Sequence, residues 1–286
     1  MSADVNGVIH DIGYQRYTGT RLGRPYVVRS LYGESLRAAF GLGRGAKAKI
    51  FPWIVIGIMM LVAVVIVAIA AQTGGMEMPY LDFPQSMSLL IVLFGAVVGP
   101  ELVSRDLRSG VLALYFSRPL TRTDYPLAKL VALVTALWLI LAGPQLLMFL
   151  GAAFSVDTFG DVWPELGRFA KGLGGSAVYA LIYGSLSLLV ASLAGRRAIA
   201  AAIIVAAFLI TTPIFGVLVE LASEDEPMGQ LAGLVSPLTL AMGTAGWLFD
   251  TFEEIGPYGP VYALTALGFV LACAGLLLLR YRRVAR

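Results

Sequence analysis

Residues 52–71 read PWIVIGIMMLVAVVIVAIAA, a run of 20 residues without a charged side chain. A helix of this length is about 30 Å long, which matches the thickness of the hydrocarbon core of a bilayer. Trp53 stands near the start of the run, at a position suited to the membrane interface, where tryptophan is enriched. The run therefore predicts a membrane-spanning helix.

Five further apolar runs have a similar length and carry no charge except near their ends. They cover about 86–103, 126–150, 172–194, 198–221 and 257–279. Only 14% of the 286 residues are charged, whereas a soluble domain carries about 25%. The pattern predicts an all-α, polytopic membrane protein with six transmembrane helices. Its membrane domain covers 52–279, between an N-terminal region over 1–51 and a basic tail over 280–286.

The N-terminal region is polar and basic, which predicts a cytosolic tail followed by an amphipathic helix within 24–43. The apolar side chains that recur there at helical spacing are Val28, Leu31, Tyr32, Leu36, Ala39 and Phe40. A helix with one apolar face that directly precedes a span is suited to the headgroup layer. We predict such an interfacial helix, and the alternative is a soluble helix that caps the membrane domain.

Basic residues are concentrated in segments that can all face one side of the membrane. The N-terminal region, the stretch 101–129, the turn at 196–197 and the C-terminal tail together hold 19 of the 21 Lys and Arg residues. Segments rich in Lys and Arg stay in the cytoplasm. The distribution predicts cytoplasmic N- and C-termini, a cytoplasmic loop at 104–125 and an external segment at 222–256. We expect the membrane to be the plasma membrane.

Residues 231–249, within this external segment, are also apolar over about the length of a span. A crossing there would place the C-terminal arginines outside, and several Gly and Pro residues interrupt the run. Short helices at the outer interface, packed on the protein, are the favoured interpretation. A re-entrant segment and a seventh span are the alternatives.

The spans carry little of the chemistry that an enzyme needs. The chain has one histidine, His10, and one cysteine, Cys273, so no His or Cys metal site is predicted. It has no GxxxxGK[ST] motif for the phosphates of ATP. Its spans also lack the ionisable groups that ion-coupled transporters generally need near the midplane. We expect a transporter without catalysis of its own, with Gln145, Tyr179 and Tyr183 as candidates for the substrate path.

Residues 101–129, ELVSRDLRSGVLALYFSRPLTRTDYPLAK, form the most charged internal segment. The second span is predicted to continue past the membrane as an amphipathic helix, with Glu101 and Arg105 at the favourable i,i+4 spacing. Pro119 breaks this helix, and Asp124 suits the first turn of the next one. Aromatic residues between the arginines give the segment the composition of a protein interface. The alternative is a solvated loop whose arginines only set the topology.

This segment resembles the loop between the second and third spans of ABC-2 type exporter permeases. In that family a Glu, an Arg and a Gly precede the series Ser-x-Pro-x-x-Arg-x-x-Tyr-x-x-x-Lys. The matching residues here are Glu101, Arg105, Gly110, Ser117, Pro119, Arg122, Tyr125 and Lys129. The resemblance implies that two permease chains pair, identical or paralogous. It also implies that each binds a cytosolic ATPase subunit, which carries the ATP and magnesium, through this loop.

The candidate docking residues are therefore Glu101, Arg105, Arg108, Gly110, Ser117, Arg118, Pro119, Arg122, Tyr125 and Lys129. Residues that weaken helices are candidate hinges, with ordinary helix packing as the alternative role. They are Gly95, Gly99, Pro100, Gly143, Pro144 and Pro213. The predicted function is the permease subunit of an ATP-driven exporter of a drug, an antibiotic or a lipid-like amphiphile. A membrane anchor or assembly factor without transport is the alternative, and an ion-coupled transporter is disfavoured.

Overall fold

The computed structural model describes residues 19, 22–73, 75, 78–108, 120–156, 158–222, 226–249 and 255–284. Throughout these residues the regular structure is helical and no strand occurs, so the predicted all-α fold is confirmed. The α-helices are α1 (Arg24–Ala39), α2 (Ala46–Thr73), α3 (Phe83–Ser86), α4 (Ser88–Arg108), α5 (Asp124–Ser155), α6 (Val162–Leu193), α7 (Arg197–Leu221), α8 (Glu226–Ala232), α9 (Pro237–Leu248) and α10 (Gly259–Val284). Short 3₁₀ turns cover Phe159–Asp161, Gly233–Val235 and Gly256–Tyr258.

Within the described ranges, five helices are long and apolar enough to cross a membrane, namely α2, α5, α6, α7 and α10. The 28 residues of α2 extend over about 42 Å. α4 has 21 residues, and its apolar part, Ser88–Val103, is shorter than those of the five. The chain is therefore a multi-pass membrane protein.

Contacts between distant segments show which helix ends lie together. Arg44, just before α2, and Arg197, at the start of α7, both pair with Glu101 near the end of α4. The start of α5 meets the end of α4 through Lys129, and the end of α10 meets the start of α5 through Tyr281. These segments form one end of the bundle, which we call the Glu101 end. They are the segments that the charge distribution assigned to one side.

The segment between α7 and α10 begins and ends at the opposite end of the bundle, because α7 starts and α10 finishes at the Glu101 end. Its helical stretches Pro227–Val235 and Pro237–Leu248 are bent by 118° to each other. The Tyr262 hydroxyl of α10 donates a hydrogen bond of 2.7 Å to the Gln230 carbonyl and fixes the first stretch. A bend of this size does not fit a straight seventh span. The six helices α2, α4, α5, α6, α7 and α10 then connect the two ends.

α6 is the centre of the bundle, since 67% of its apolar part is buried within the chain, against 11% for α7. Small residues let its neighbours approach closely. A Cβ on Gly95 of α4 would lie 2.7 Å from Ser187 Oγ, and one on Gly99 would lie 3.3 Å from the Ser187 carbonyl oxygen. Gly95 and Gly99 are therefore contact points between α4 and α6.

α1 packs along the first part of α5. Its buried stripe consists of Leu31, Ser35 and Ala39. The Tyr32 hydroxyl lies 3.3 Å from the Thr135 hydroxyl of α5. The apolar face of this amphipathic helix is thus turned toward the rest of the chain.

Gly41, just after α1, makes the close approach between α1 and α2 possible. Its φ is +69°, a left-handed conformation that favours glycine. A Cβ there would lie 2.4 Å from the Ala48 carbonyl oxygen. Pro52 lies four residues after Ala48 and has no N–H to donate to that carbonyl. The Ala48 carbonyl therefore lacks the i+4 backbone donor that it would have inside a regular helix.

Candidate coupling site and interior path

The structure places the two helix ends that flank the predicted docking loop. The predicted docking residues that fall outside the described part of the chain are Gly110, Ser117, Arg118 and Pro119. Arg105 and Arg108 belong to the end of α4, where their backbone is described. Those placed with their side chains are Glu101, Arg122, Tyr125 and Lys129. Arg122 is exposed, and the other three take part in contacts between helices.

Glu101 pairs with two arginines from other parts of the chain. Its Oε1 accepts a hydrogen bond from Arg44 Nη1, and its Oε2 pairs with Arg197 Nη1. The Glu101 side chain is 25% exposed, so solvent screens these pairs only in part. One carboxylate therefore ties the segment before α2, the end of α4 and the start of α7 together.

Asp106, in the last part of α4, binds two of the predicted docking residues. Its Oδ2 accepts a hydrogen bond of 2.7 Å from the Tyr125 hydroxyl and lies 3.0 Å from Lys129 Nζ. Lys129 Nζ also lies 5.5 Å from the centre of the Tyr125 ring. The Lys129 side chain is almost fully buried, and a buried ammonium group needs a paired acid. Asp106 supplies this acid. Its contacts join the end of α4 to the start of α5, the two helices that flank the loop.

Asp124 connects the start of α5 to α1. Its carboxylate accepts two hydrogen bonds from Arg24, 2.8 Å from Nε and 2.7 Å from Nη2. It also accepts a hydrogen bond of 3.0 Å from the Thr121 backbone N–H, while the Thr121 hydroxyl accepts one from the Asp124 N–H. This reciprocal pair resembles a capping box and fixes the first turn of α5. Arg24 therefore binds a carboxylate that is already held in place.

Sequence reasoning named Glu101, Tyr125 and Lys129 as docking candidates, which they remain. It missed the partners that the structure gives them, namely Asp106, Arg44, Arg197 and Tyr281. Asp106 could have been found, because the segment 101–129 contains only three acids and a lysine at the start of a span needs one of them. The two arginines carry no such local signal. They come next to Glu101 only through the packing of α2 and α7 against α4.

In the half of the bundle away from Glu101, Gln145 of α5 lies in a buried polar contact. Its Nε2 donates hydrogen bonds to the Tyr80 carbonyl, at 3.0 Å, and to Ser176 Oγ of α6, at 2.9 Å. Its Oε1 is buried and has no hydrogen-bond partner among the described residues. Gln145 thus holds the loop before α3 against α5 and α6, and one acceptor remains available.

Tyr179 and Tyr183 belong to a stripe of hydroxyl groups on α6. Ser176, Tyr179, Tyr183 and Ser187 are spaced by three or four residues, so they share one face of the helix, and all are buried. The Tyr183 ring lies 5.8 Å from that of Tyr179 and 4.4 Å from that of Phe208 on α7. Within the part of the chain that the structure describes, the Tyr183 hydroxyl and Ser187 Oγ have no partner. The three predicted path residues thus lie along one interior surface of about 16 Å.

At the end of the bundle opposite Glu101, the Tyr80 hydroxyl donates a hydrogen bond of 2.5 Å to Glu165 Oε1 at the start of α6. Glu165 Oε2 accepts a hydrogen bond of 2.6 Å from Arg168 Nη1. Burial raises the pKa of Tyr80, and the hydrogen bond to Glu165 raises it further. These residues line a cavity of about 340 Å³. No group of three or more His, Cys, Asp or Glu side chains that could hold a metal occurs in the described ranges.

The predicted hinge residues lie within continuous helices. α5 runs unbroken through Gly143 and Pro144, and α7 runs unbroken through Pro213. Pro100 likewise lies inside α4. Apart from its own helix, a Cβ on Gly143 would meet no described atom within 4 Å, so this glycine is not required for contact with another helix among the described residues. A hinge at these positions stays a prediction.

A family model described as ABC-2 family transporter protein matches residues 57–284, which is most of the chain. The chain belongs to this family. None of the curated proteins compared with it matches. Proteins of the ABC-2 family are membrane components of transporters, are generally not catalytic themselves and normally work with an ATPase subunit. The family resemblance inferred from residues 101–129 is thus confirmed over residues 57–284 of this permease.

Proposed function

We propose that this permease exports an amphiphile, such as a drug, an antibiotic or a lipid-like molecule, across the plasma membrane. Two permease chains pair, and each binds a cytosolic ATPase subunit that carries the ATP and magnesium. Both termini and the loop at 104–125 face the cytoplasm. The permease has no catalytic role of its own, and the ATPase supplies the energy.

The ion pairs of the Glu101 end carry this proposal. The loop between α4 and α5 is the predicted docking site, and both helix ends that flank it are fixed to other helices. Asp106 joins α4 to α5, and Glu101 joins α4 to α7 and to the segment before α2. A movement that the ATPase imposes on the loop would therefore be transmitted to four transmembrane helices. A membrane anchor would have no need of such a connection.

The interior stripe supports the choice of an amphiphile as substrate. The Tyr183 hydroxyl and Ser187 Oγ lie in an apolar interior and have no partner within the described part of the chain. A buried polar group without a partner costs about 1–3 kcal/mol. A substrate with both apolar and hydrogen-bonding groups would contact such a surface favourably. All four groups of the stripe are buried, so under this proposal the helices must separate before a substrate can reach them.

The proposal is tested by purifying the permease with its ATPase from cells that express both. In the docking variant, Arg118→Glu is combined with Arg122→Glu, and Arg29→Glu on the exposed face of α1 is the control. We expect the docking variant to lose most of the co-purified ATPase and the control to retain it, because charge reversal at a docking surface repels the partner. Equal recovery of the ATPase in both variants would contradict docking through this loop.

Coupling is tested separately in complexes that still form. Asp106→Asn removes the charge that binds Lys129 and leaves Arg118 and Arg122 unchanged in the sequence. We expect association to persist and the ATPase activity stimulated by the transported compound to fall by at least several-fold. Export is then followed as accumulation of a fluorescent amphiphile in sealed vesicles. A complex that hydrolyses ATP normally but moves no compound in any assay would favour the anchor function.

A further inference from the structure

The cavity beside Tyr80 has two walls of different character. One wall comes from the loop before α3 and includes Met78, Tyr80 and Leu81, so it is mainly apolar. The other wall comes from the first part of α6 and carries Arg168 and Lys171 beside the buried Glu165. At about 340 Å³ the cavity is at the lower limit of ligand sites, large enough for a small polar group with part of an apolar chain.

The length of α6 places this cavity in the headgroup layer of the membrane. Its 32 residues extend over about 48 Å, which exceeds a hydrocarbon core of about 30 Å. The predicted span over 172–194 fills that core, so the preceding residues of the helix stand outside it. Arg168 and Lys171 are within about 6 Å of the boundary along the helix axis. The polar headgroup layer covers that distance.

The charges at the mouth of the cavity favour an anion. Glu165 is buried and already accepts hydrogen bonds from Tyr80 and Arg168. Arg168 uses one of its five N–H donors for Glu165, and 68% of its side chain is exposed. Lys171 is exposed too, and its Nζ lies 3.4 Å from the Phe249 carbonyl oxygen. In the sequence, Arg168 and Lys171 are the only two basic residues on the acidic side of the membrane.

We infer that this cavity binds the phosphate headgroup of an anionic phospholipid from the outer leaflet. Arg168 and Lys171 contact the phosphate, and the apolar wall of Met78 and Leu81 contacts the glycerol backbone and the first part of an acyl chain. A lipid seated there touches both the loop before α3 and α6. The leaflet follows from the topology in the proposed function, whereas the binding itself does not depend on transport.

The test is native mass spectrometry of the full-length permease in mild detergent with phosphatidylglycerol and, separately, phosphatidylcholine. We expect one phosphatidylglycerol to be retained in preference to phosphatidylcholine, and Lys171→Gln to weaken its binding about fivefold, the effect of one basic residue near an anionic surface. Lys47→Gln, an exposed lysine at the Glu101 end, is the matched control and should leave binding unchanged. Met78→Glu adds a negative charge at the half-buried apolar wall and should weaken binding further.

Three outcomes would overturn the inference. Lys171→Gln could bind phosphatidylglycerol as tightly as Lys47→Gln, or both lipids could be retained equally. Water-soluble glycerol 3-phosphate could also displace the lipid at the same concentration as added phosphatidylglycerol, which would indicate a site for free anions. None of these results depends on the ATPase, so they leave the proposed transport function untouched.

Discussion

Replacing Glu101 with glutamine tests the contact that joins α4 to the segment before α2 and to the start of α7. Glutamine has nearly the same shape as glutamate but carries no charge. The variant therefore keeps the packing of α4 and removes the electrostatic attraction to Arg44 and Arg197. Both arginines then remain without their described acid at the Glu101 end.

The expected cost follows from the exposure of the two pairs. Hydrogen bonds to charged groups contribute about 1.5–3 kcal/mol, and exposed ion pairs about 0.2–1 kcal/mol. Arg44 is 22% exposed, which places its pair at the lower limit of the first range, about 1.5 kcal/mol. Arg197 is 45% exposed, so its pair belongs near the middle of the range for exposed ion pairs, at about 0.5 kcal/mol. Glu101→Gln should thus lower the free energy of unfolding by about 2 kcal/mol, a factor of about 30 in the folded-to-unfolded ratio.

The measurement is unfolding of the full-length permease in mixed micelles by increasing dodecyl sulfate, followed by tryptophan fluorescence. Glu34→Gln, which removes an exposed carboxylate from α1, is the matched control and should change stability by less than about 0.5 kcal/mol. Double-mutant cycles with Arg44→Gln and Arg197→Gln isolate each pair. If Glu101→Gln matches the control, or if its effect adds to that of Arg44→Gln without coupling, the role assigned to Glu101 is wrong.

Further variants address the other contacts with the same titration. Asp106→Asn should lower the free energy of unfolding by about 3 kcal/mol, because it leaves Lys129 buried without its acid. Tyr125→Phe removes the hydrogen bond to Asp106 and should lower it by about 1 kcal/mol. Equal effects of the two variants would contradict the pairing of Asp106 with Lys129. Gly172→Ala should cost about 2 kcal/mol, since its Cβ would lie 2.3 Å from Tyr80 Cβ. A Cβ on Gly143 would meet no other part of the described chain within 4 Å, but it would face the ring of Pro144. The gain in helix propensity and the restriction before proline oppose each other, so Gly143→Ala should change the free energy of unfolding by less than about 1 kcal/mol, and a larger loss would show that this glycine packs closely. If Gly143 is a hinge, the same variant should also slow export.

The helices could be predicted because each rests on a local property of the chain. A run of about 20 apolar residues has few alternatives to a membrane-spanning helix, since a backbone in lipid must satisfy its own hydrogen bonds. The bent pair of helical stretches over 227–248 was harder to predict, because its composition alone also fits a membrane span. The interrupting Gly and Pro residues were the useful signal there.

The partners at the Glu101 end could not be predicted from local properties. Arg44 and Arg197 are far from Glu101 in sequence, and many arginines could have occupied their places. The i,i+4 spacing predicted Arg105, on the same helix, as the partner of Glu101. The partners that the structure describes come instead from the segment before α2 and from the start of α7. The motif named Lys129 as a docking candidate. Asp106 becomes its acid only because α4 and α5 lie side by side.

The two arginines bound to Glu101 also form their pairs in a fixed order while the protein is synthesised and inserted into the membrane. Arg44 leaves the ribosome before Glu101, so the first pair can form while the second span is being inserted. Arg197 follows 96 residues later, which takes roughly 5–20 s at ordinary rates of synthesis. During that interval Glu101 Oε2 lacks the arginine with which it pairs in the finished protein. Both pairs of Glu101 are therefore complete only when the fifth crossing helix begins to insert, before α10 has been made.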